Sequence, residues 1–244
     1  MTTEESIHKF LRQRGYNRMD VKAALIDMDG VLFDSMPSHA QAWVEVMSEF
    51  GFPFTQEDAY MNEGRTGKST INELSMRLRG HGITDEQVEA MYAAKTKRFN
   101  TYPQPKPMPG ADSLLRQLRQ DGIQPVLVTG SGTATLLGRL EKSYPSVFVK
   151  ERMVTGFDVK YGKPNPEPYL MGLKKAGVEP WQAFVIENAP LGVKAGVAAG
   201  VFTIAVNTGP LADEVLLREG ADLLFHSMKE FSESWSSVWS ALQP

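Results

Sequence analysis

Asp27-Met28-Asp29-Gly30-Val31 puts two carboxylates two positions apart, directly after the short apolar run Ala23 to Ile26. Side chains so spaced at a strand's end and in the turn beyond it can converge on one site. Two like charges held together raise each other's pKa, and both ionise only beside a cation. An all-oxygen donor set is hard, so the pair predicts bound Mg²⁺. A D-x-D pair alone is also ordinary turn chemistry, because Asp is common where strands meet loops. Three later features add to it in order. Thr129, with Gly130 and Ser131, closes the run Pro125 to Val128 and offers a hydroxyl and free N–H groups to a phosphate oxygen. Gly162-Lys163-Pro164 sets a compact cation in a loop before a helix, and Glu187-Asn188 ends the run Ala183 to Ile186 with two more oxygen donors.

The elements that must hold these residues follow from the apolar pattern. Five runs have strand length, the two others being Val201 to Val206 and Asp222 to Phe225. Gly110 to Gln120, Pro166 to Ala176 and Pro190 to Ala199 have helical spacing between them. Strands alternating with helices predict an α/β fold with a Rossmann-like, doubly wound parallel sheet, whose ligands bind at the carboxyl ends of the strands. About a hundred residues separate the first two strands, far more than the roughly 12 a single crossover needs. Residues 37–106 are read as an inserted helical cap domain with hinges near Met36 to Pro37 and Pro103 to Pro109, and residues 1–36 and 107–244 as the discontinuous catalytic core. The tail Phe231 to Leu242, with two tryptophans, reads as a final docked helix.

Composition narrows the classes. The 244 residues are 42% hydrophobic and include no cysteine, which excludes a thiol nucleophile, a disulfide framework and a cysteine zinc site. With 26 bases against 29 acids there is no basic footprint for nucleic acid or an anionic membrane. Neither a bilayer-spanning apolar stretch nor a signal-peptide core stands out, so a cytoplasmic monomer is expected.

Asp27-Met28-Asp29-Gly30-Val31, Thr129, Lys163 and Glu187-Asn188, with the insertion after the first of them, resemble the four motifs of the haloacid dehalogenase superfamily, in its β-phosphoglucomutase-like phosphatase subfamily. The resemblance runs from Lys22 to the C-terminus. It implies that Asp27 is a nucleophile forming an aspartyl-phosphate, and that Asp29 is first general acid and then base. It further implies that Thr129 and Lys163 hold phosphoryl oxygens and that Mg²⁺ sits on Asp27, the Asp29 carbonyl and Asn188, with Glu187 also counted among the metal residues. Positioning and charge neutralisation carry most of such a phosphoryl transfer.

An aspartate is usual in the family where Asn188 stands. An amide brings an oxygen but no charge, and Glu63 in the cap is the candidate that compensates. Asn62 to Ser69 resembles part of a phosphate-binding P-loop, but Asn62 occupies the first glycine's place and no buried strand precedes it, so that reading is rejected. In the family this stretch is the loop that closes over the site. Arg65 suits a second phosphate there, whereas Glu63 favours a small leaving group. His39 lies where mutase relatives bond the catalytic acid, and Lys95 near a cap lysine that meets phosphate; an ordinary helix-start histidine and a snorkelling lysine are the plainer readings. Asp34-Ser35 is assigned to turn and helix capping, and Trp43 and Trp181 to packing.

The expectation is a Mg²⁺-dependent phosphohydrolase acting on a small phosphate ester or anhydride, a sugar phosphate or inorganic pyrophosphate. A β-phosphoglucomutase is the alternative, and a non-catalytic phosphate-binding module a remote one.

Overall fold

The five apolar runs form strands, and a sixth of two residues joins them: β1 Ala23–Ile26, β2 Gln124–Val128, β3 Met153–Val154, β4 Ala183–Glu187, β5 Phe202–Val206 and β6 Leu223–Phe225. The structure is a computed structural model and describes residues 2–131 and 136–243. All pairings are parallel, in the order β3-β2-β1-β4-β5-β6. Ile26 is level with Leu127 on one side and Ile186 on the other. Asp27, Thr129 and Glu187-Asn188 therefore leave the sheet side by side. The strand order turns back between β1 and β4, the switch point where such sheets leave a crevice.

Side chains alternate between the two faces, as a strand's period of two requires. Ala24, Ile26, Phe184 and Phe202 pack with Phe10, Leu114, Leu118 and Trp235 on one face. Ala23, Leu25, Val126 and Val185 pack with Tyr169, Leu173 and Ala195 on the other. The first face is covered by α1 (Thr3–Arg14), α6 (Ala111–Gln120), α7 (Leu136–Ser143) and α11 (Met228–Leu242). The second is covered by α8 (Glu167–Ala176) and α9 (Pro190–Ala198), and α10 (Asp213–Arg218) lies between β5 and β6. Helix α1 starts on a capping box of Thr2 and Glu5 and stops at Gly15 in the left-handed region. No helix among the described residues is long and apolar enough to cross a membrane.

Between β1 and β2 lie α2 (Met36–Glu49), α3 (Gln56–Met61), α4 (Gly67–Arg79) and α5 (Asp85–Phe99). Thr55, Thr66 and Thr84 cap the last three. The four helices bury their own cluster, which includes Met47, Phe54, Ile71, Leu74, Val88 and Met91. The chain leaves for them and returns along neighbouring paths. Asp34 N donates to the Lys106 carbonyl and Met108 N to the Leu32 carbonyl, each at 2.9 Å, and Phe33 bridges Pro107.

Burial pushes the Asp222 carboxyl up to about 6, while its Oδ2 accepts from Thr203 N at 2.8 Å. Folding thus favours the neutral acid. That contribution is present below the unfolded pKa of about 4 and is lost as pH rises through about 6. Asp222→Asn keeps an acceptor for Thr203 and is expected to raise stability by about 1–2 kcal/mol at pH 8 and by nothing at pH 4. Urea midpoints at both pH values check this, and equal shifts at the two would contradict it.

Candidate active site

Lys163 anchors the site from below. Its ammonium is 1% exposed and lies 2.5 Å from Asp27 Oδ1, 2.5 Å from Glu187 Oε1 and 3.0 Å from the Val128 carbonyl. Three donors meet three acceptors, one on the end of each of β1, β2 and β4. Glu187 is saturated: Oε1 also accepts from the Tyr169 hydroxyl at 2.6 Å, and Oε2 from Asn188 N and Ala189 N at 3.0 and 3.2 Å. Gly192 makes room for it, since an added Cβ would fall 1.9 Å from Oε1.

Asp29 is held from the cap side. Ser35 Oγ donates to Asp29 Oδ1 at 2.5 Å, and His39 Nε2 lies 3.3 Å from the same oxygen. Lys95 Nζ stands 2.6 Å from His39 Nδ1, so the lysine donates to one ring nitrogen while the other faces the carboxylate. Lys95 is 6% exposed and lies 5.1 Å from the Trp43 ring centre. Thr129 is buried at the end of β2, with its Oγ1 accepting from Ser131 N.

Glu63 crosses from the cap loop to the sheet edge, where its Oε1 accepts from Asn188 Nδ2 at 3.0 Å. Among the described residues Asn188 Oδ1 is buried without a partner. Gly30, at φ +80°, lets the turn pass directly over this amide; a Cβ there would lie 2.0 Å from Nδ2. Arg65 reaches Ser69 at 3.5 Å, and among the described residues its buried Nε has no partner. A half-open cavity of about 80 Å³ is lined by Asp27, Asp29 and Thr129 below and by Glu63, Arg65, Tyr92 and Lys95 from the insertion, with Gly130 and Ser131 at one side.

The two aspartates are pushed in opposite directions. Burial drives Asp27 up to about 8, helped by Glu187 and Asp29 and opposed by Lys163. Burial also works to raise Asp29, but His39, Ser35 and Lys95 outweigh it and hold the group down to about 2. Glu63 is raised well above the usual carboxylate range by burial and by Asp27. Burial lowers Lys95 to about 8 and, with Lys95 beside it, lowers His39.

The oxygen donors at this edge fit Mg²⁺. An orphaned buried amide oxygen on Asn188 and the buried Asp27 carboxylate both stand at the carboxyl ends of the neighbouring strands β4 and β1. Among the described residues no three His, Cys, Asp or Glu side chains form a metal cage. The candidate set is instead mixed: one carboxylate, one amide and one carbonyl.

Two expectations change. Glu187 is not available as a metal ligand, because each of its oxygens already accepts from two protein donors. Ser35 occupies the cap position of α2 yet makes no cap hydrogen bond; its hydroxyl goes to Asp29. The structure also adds residues that spacing did not single out. Tyr169 fastens Glu187, Thr208 Oγ1 donates to the Gly30 carbonyl at 2.6 Å, and Tyr92 walls the cavity together with Trp43, which was assigned to packing alone. Trp181 is a packing residue, tilted against Tyr16 at 5.3 Å.

A parallel sheet with carboxylates, a threonine and a lysine at its switch point, under a helical insertion, defines a phosphoryl-transfer fold. The model of the haloacid dehalogenase-like hydrolases matches residues 21–200, and the chain belongs to that family. It is similar to hexitol phosphatase A of Escherichia coli, with 33% identity over 88% of this chain and 94% of that one. It is 31% identical to the validoxylamine A 7'-phosphate phosphatase of Streptomyces hygroscopicus over 86% and 95%. A solved structure from Bacteroides vulgatus, described as a proposed β-phosphoglucomutase, superposes with a TM-score of 0.96 at 57% identity, covering 99% and 98% of the two chains. The protein is an enzyme, a hydrolase of this family whose relatives include phosphatases.

Lys163 offsets two buried carboxylates, and removing one member of such a cluster leaves uncompensated charge. Lys163→Met is expected to lower stability by about 3–5 kcal/mol. Adding Glu187→Gln to that variant recovers a substantial part of the loss, as urea unfolding would show. Strictly additive losses would contradict a charge origin.

Proposed function

We propose that this chain is a Mg²⁺-dependent phosphohydrolase working through an aspartyl-phosphate on Asp27, and that its substrate is small, with inorganic pyrophosphate the best fit. Residues 37–106 serve as the cap over a core of residues 1–36 and 107–244. The observation that supports a small substrate is Glu63, a cap carboxylate set against Asn188 in the cavity that holds Asp27 and Asp29. An acid there repels an anionic substrate unless a cation lies between them. Its side chain also occupies part of the cavity beside Asp27 and Asp29, which leaves less room next to the nucleophile for a bulky leaving group. Pyrophosphate is compact and entirely oxygen and charge, and Arg65, Lys95 and the Thr129 hydroxyl suit it.

The residues divide the work as follows. An Asp27 oxygen forms a bond to phosphorus while the bond to the leaving oxygen breaks, and that oxygen takes the proton of Asp29. Asp29, now a carboxylate, removes a proton from water; the water oxygen bonds phosphorus, the Asp27–phosphorus bond breaks, and phosphate departs. Ser35 and His39 aim the Asp29 carboxyl through both steps. Lys163 sits against the attacking carboxylate and Thr129 offers a hydroxyl to the phosphoryl oxygens. Asp27, the Asp29 carbonyl and Asn188 would hold Mg²⁺, which supplies positive charge to the phosphoryl group and brings Asp27 down into its ionised form. A bound phosphate group beside Asp29 raises that carboxyl in turn.

The contact of His39 with Asp29, and of Lys95 with His39, favours a second reading, a β-phosphoglucomutase in which a sugar hydroxyl replaces water. Phosphate release from pyrophosphate and a panel of sugar phosphates, measured beside conversion of β-glucose 1-phosphate with its bisphosphate, separates the two. Pyrophosphate is expected to be turned over fastest; mutase turnover above every hydrolysis rate would overturn the choice. Glu63→Ala is expected to lower kcat/KM for pyrophosphate about tenfold or more, roughly the worth of one well-placed group, and to lower it less for a sugar phosphate. Equal losses would make Glu63 a bystander.

A further inference from the structure

His39 is gripped on its flat side as well as at its two nitrogens. Its ring stacks on Phe99, with centroids 4.0 Å apart and planes 9° apart. Phe99 is the last residue of α5, is 7% exposed, and stands where the chain turns back toward the core. The Arg139 guanidinium of α7 lies 6.0 Å from the Phe99 ring centre and 5.8 Å from that of Phe33. Phe33 is fully buried and bridges Pro107 on the returning chain. Among the described residues Arg139 Nε is buried without a hydrogen-bond partner, and the Arg139 Nη2 contact with Gln104 is long, at 3.5 Å. Its planar cation is thus held chiefly by two aromatic faces, as suits a guanidinium. The contacts of His39 with Phe99, of Phe99 with Arg139 and of Arg139 with Phe33 link the partner of Asp29 to the paired connections at the base of the cap.

An imidazole turns easily about χ2, whose energy well is broad. At 4.0 Å the Phe99 face is in van der Waals contact, so any large turn drives the ring edge into it. Hydrogen bonds to Asp29 and Lys95 set where the nitrogens point, and the stack sets the plane in which they can point there. We propose that Phe99 is a positioning residue for proton transfer, holding the His39 ring in the plane that faces Asp29, and that Arg139 ties this plane to the hinge by bracing Phe99 against Phe33. The proposal rests on the reading of Asp29 as acid and base.

The test compares two substrates by kcat/KM, which reports the steps up to departure of the leaving group. Phenyl phosphate has a leaving group that needs a proton; p-nitrophenyl phosphate has one that departs without it. Phe99→Leu is expected to lower kcat/KM for phenyl phosphate about tenfold, a fraction of the roughly 10²–10⁴ that general acid catalysis supplies, and to leave p-nitrophenyl phosphate within about twofold. Phe99→Tyr keeps the flat face and restores the phenyl phosphate rate. Arg139→Met and Arg139→Lys shift the same ratio in the same direction, and they carry the test if Phe99→Leu shows no cooperative urea transition. Equal losses on both substrates, or none, would overturn the proposal. Asp29→Asn tells the two failures apart. If it keeps the phenyl phosphate rate, the reading of Asp29 fails; if it loses that rate while the Phe99 and Arg139 variants keep theirs, the positioning proposal fails.

Discussion

One buried ammonium holds the edge of this sheet together. Lys163 Nζ draws the ends of β1, β2 and β4 to a single point by binding Asp27, the Val128 carbonyl and Glu187. Two carboxylates with 5% and 0% exposure would otherwise repel each other across a medium that screens little. Burial works against the Lys163 cation, yet the two acids keep it charged. The cluster therefore does structural and electrostatic work at once: it fixes the Asp27 oxygens and places permanent positive charge under the point where a phosphoryl group would arrive. Tyr169 and the amides of Asn188 and Ala189 complete the shell around Glu187, so its second oxygen does not compete for an incoming cation.

From that fixed edge the cap, together with Ser35 just before it, supplies what differs between the two aspartates. Asp27 sees mainly burial and other acids, and rises; Asp29 sees a hydroxyl, an imidazole and a nearby ammonium, and falls. Groups two residues apart are thereby separated in proton affinity, the condition for dividing nucleophile from acid and base. His39, Lys95 and Glu63 all belong to the insertion, so both the tuning of Asp29 and the crowding of the cavity depend on the cap being seated. Glu63 and Asn188 are 125 positions apart, and their contact closes the roof onto the floor.

Much of this was legible in the sequence because buried parallel strands read as unbroken apolar runs, and here three of them end in polar residues that the fold then lines up. β3, at two residues, was too short to stand out, and α3 and α10, at six each, are shorter than a periodic pattern can reveal. Helix α1 did carry a signal, the Thr2 and Glu5 capping box, but only Ile7 and Phe10 on it are large buried apolar residues. Glu187 was misread because an acid at a strand's end does not disclose whether its oxygens meet a metal or N–H donors. Ser35 was misread because a serine at the start of a helix is usually its cap, and here the hydroxyl has a stronger acceptor in Asp29. Phe99, Tyr169 and Trp43 have core-like spacing, and only coordinates show which polar group each one faces.

The central claim is that Asp27 becomes covalently phosphorylated during turnover. Borohydride reduces an acyl phosphate to an alcohol, so quenching the enzyme with borohydride while it turns over pyrophosphate with Mg²⁺ marks any aspartyl-phosphate at its own residue. Peptide mass mapping is expected to find the reduced side chain at position 27, dependent on substrate, and at no other carboxylate. Sustained turnover with position 27 unmodified, or a mark at Asp29 or Glu63 instead, would contradict the account.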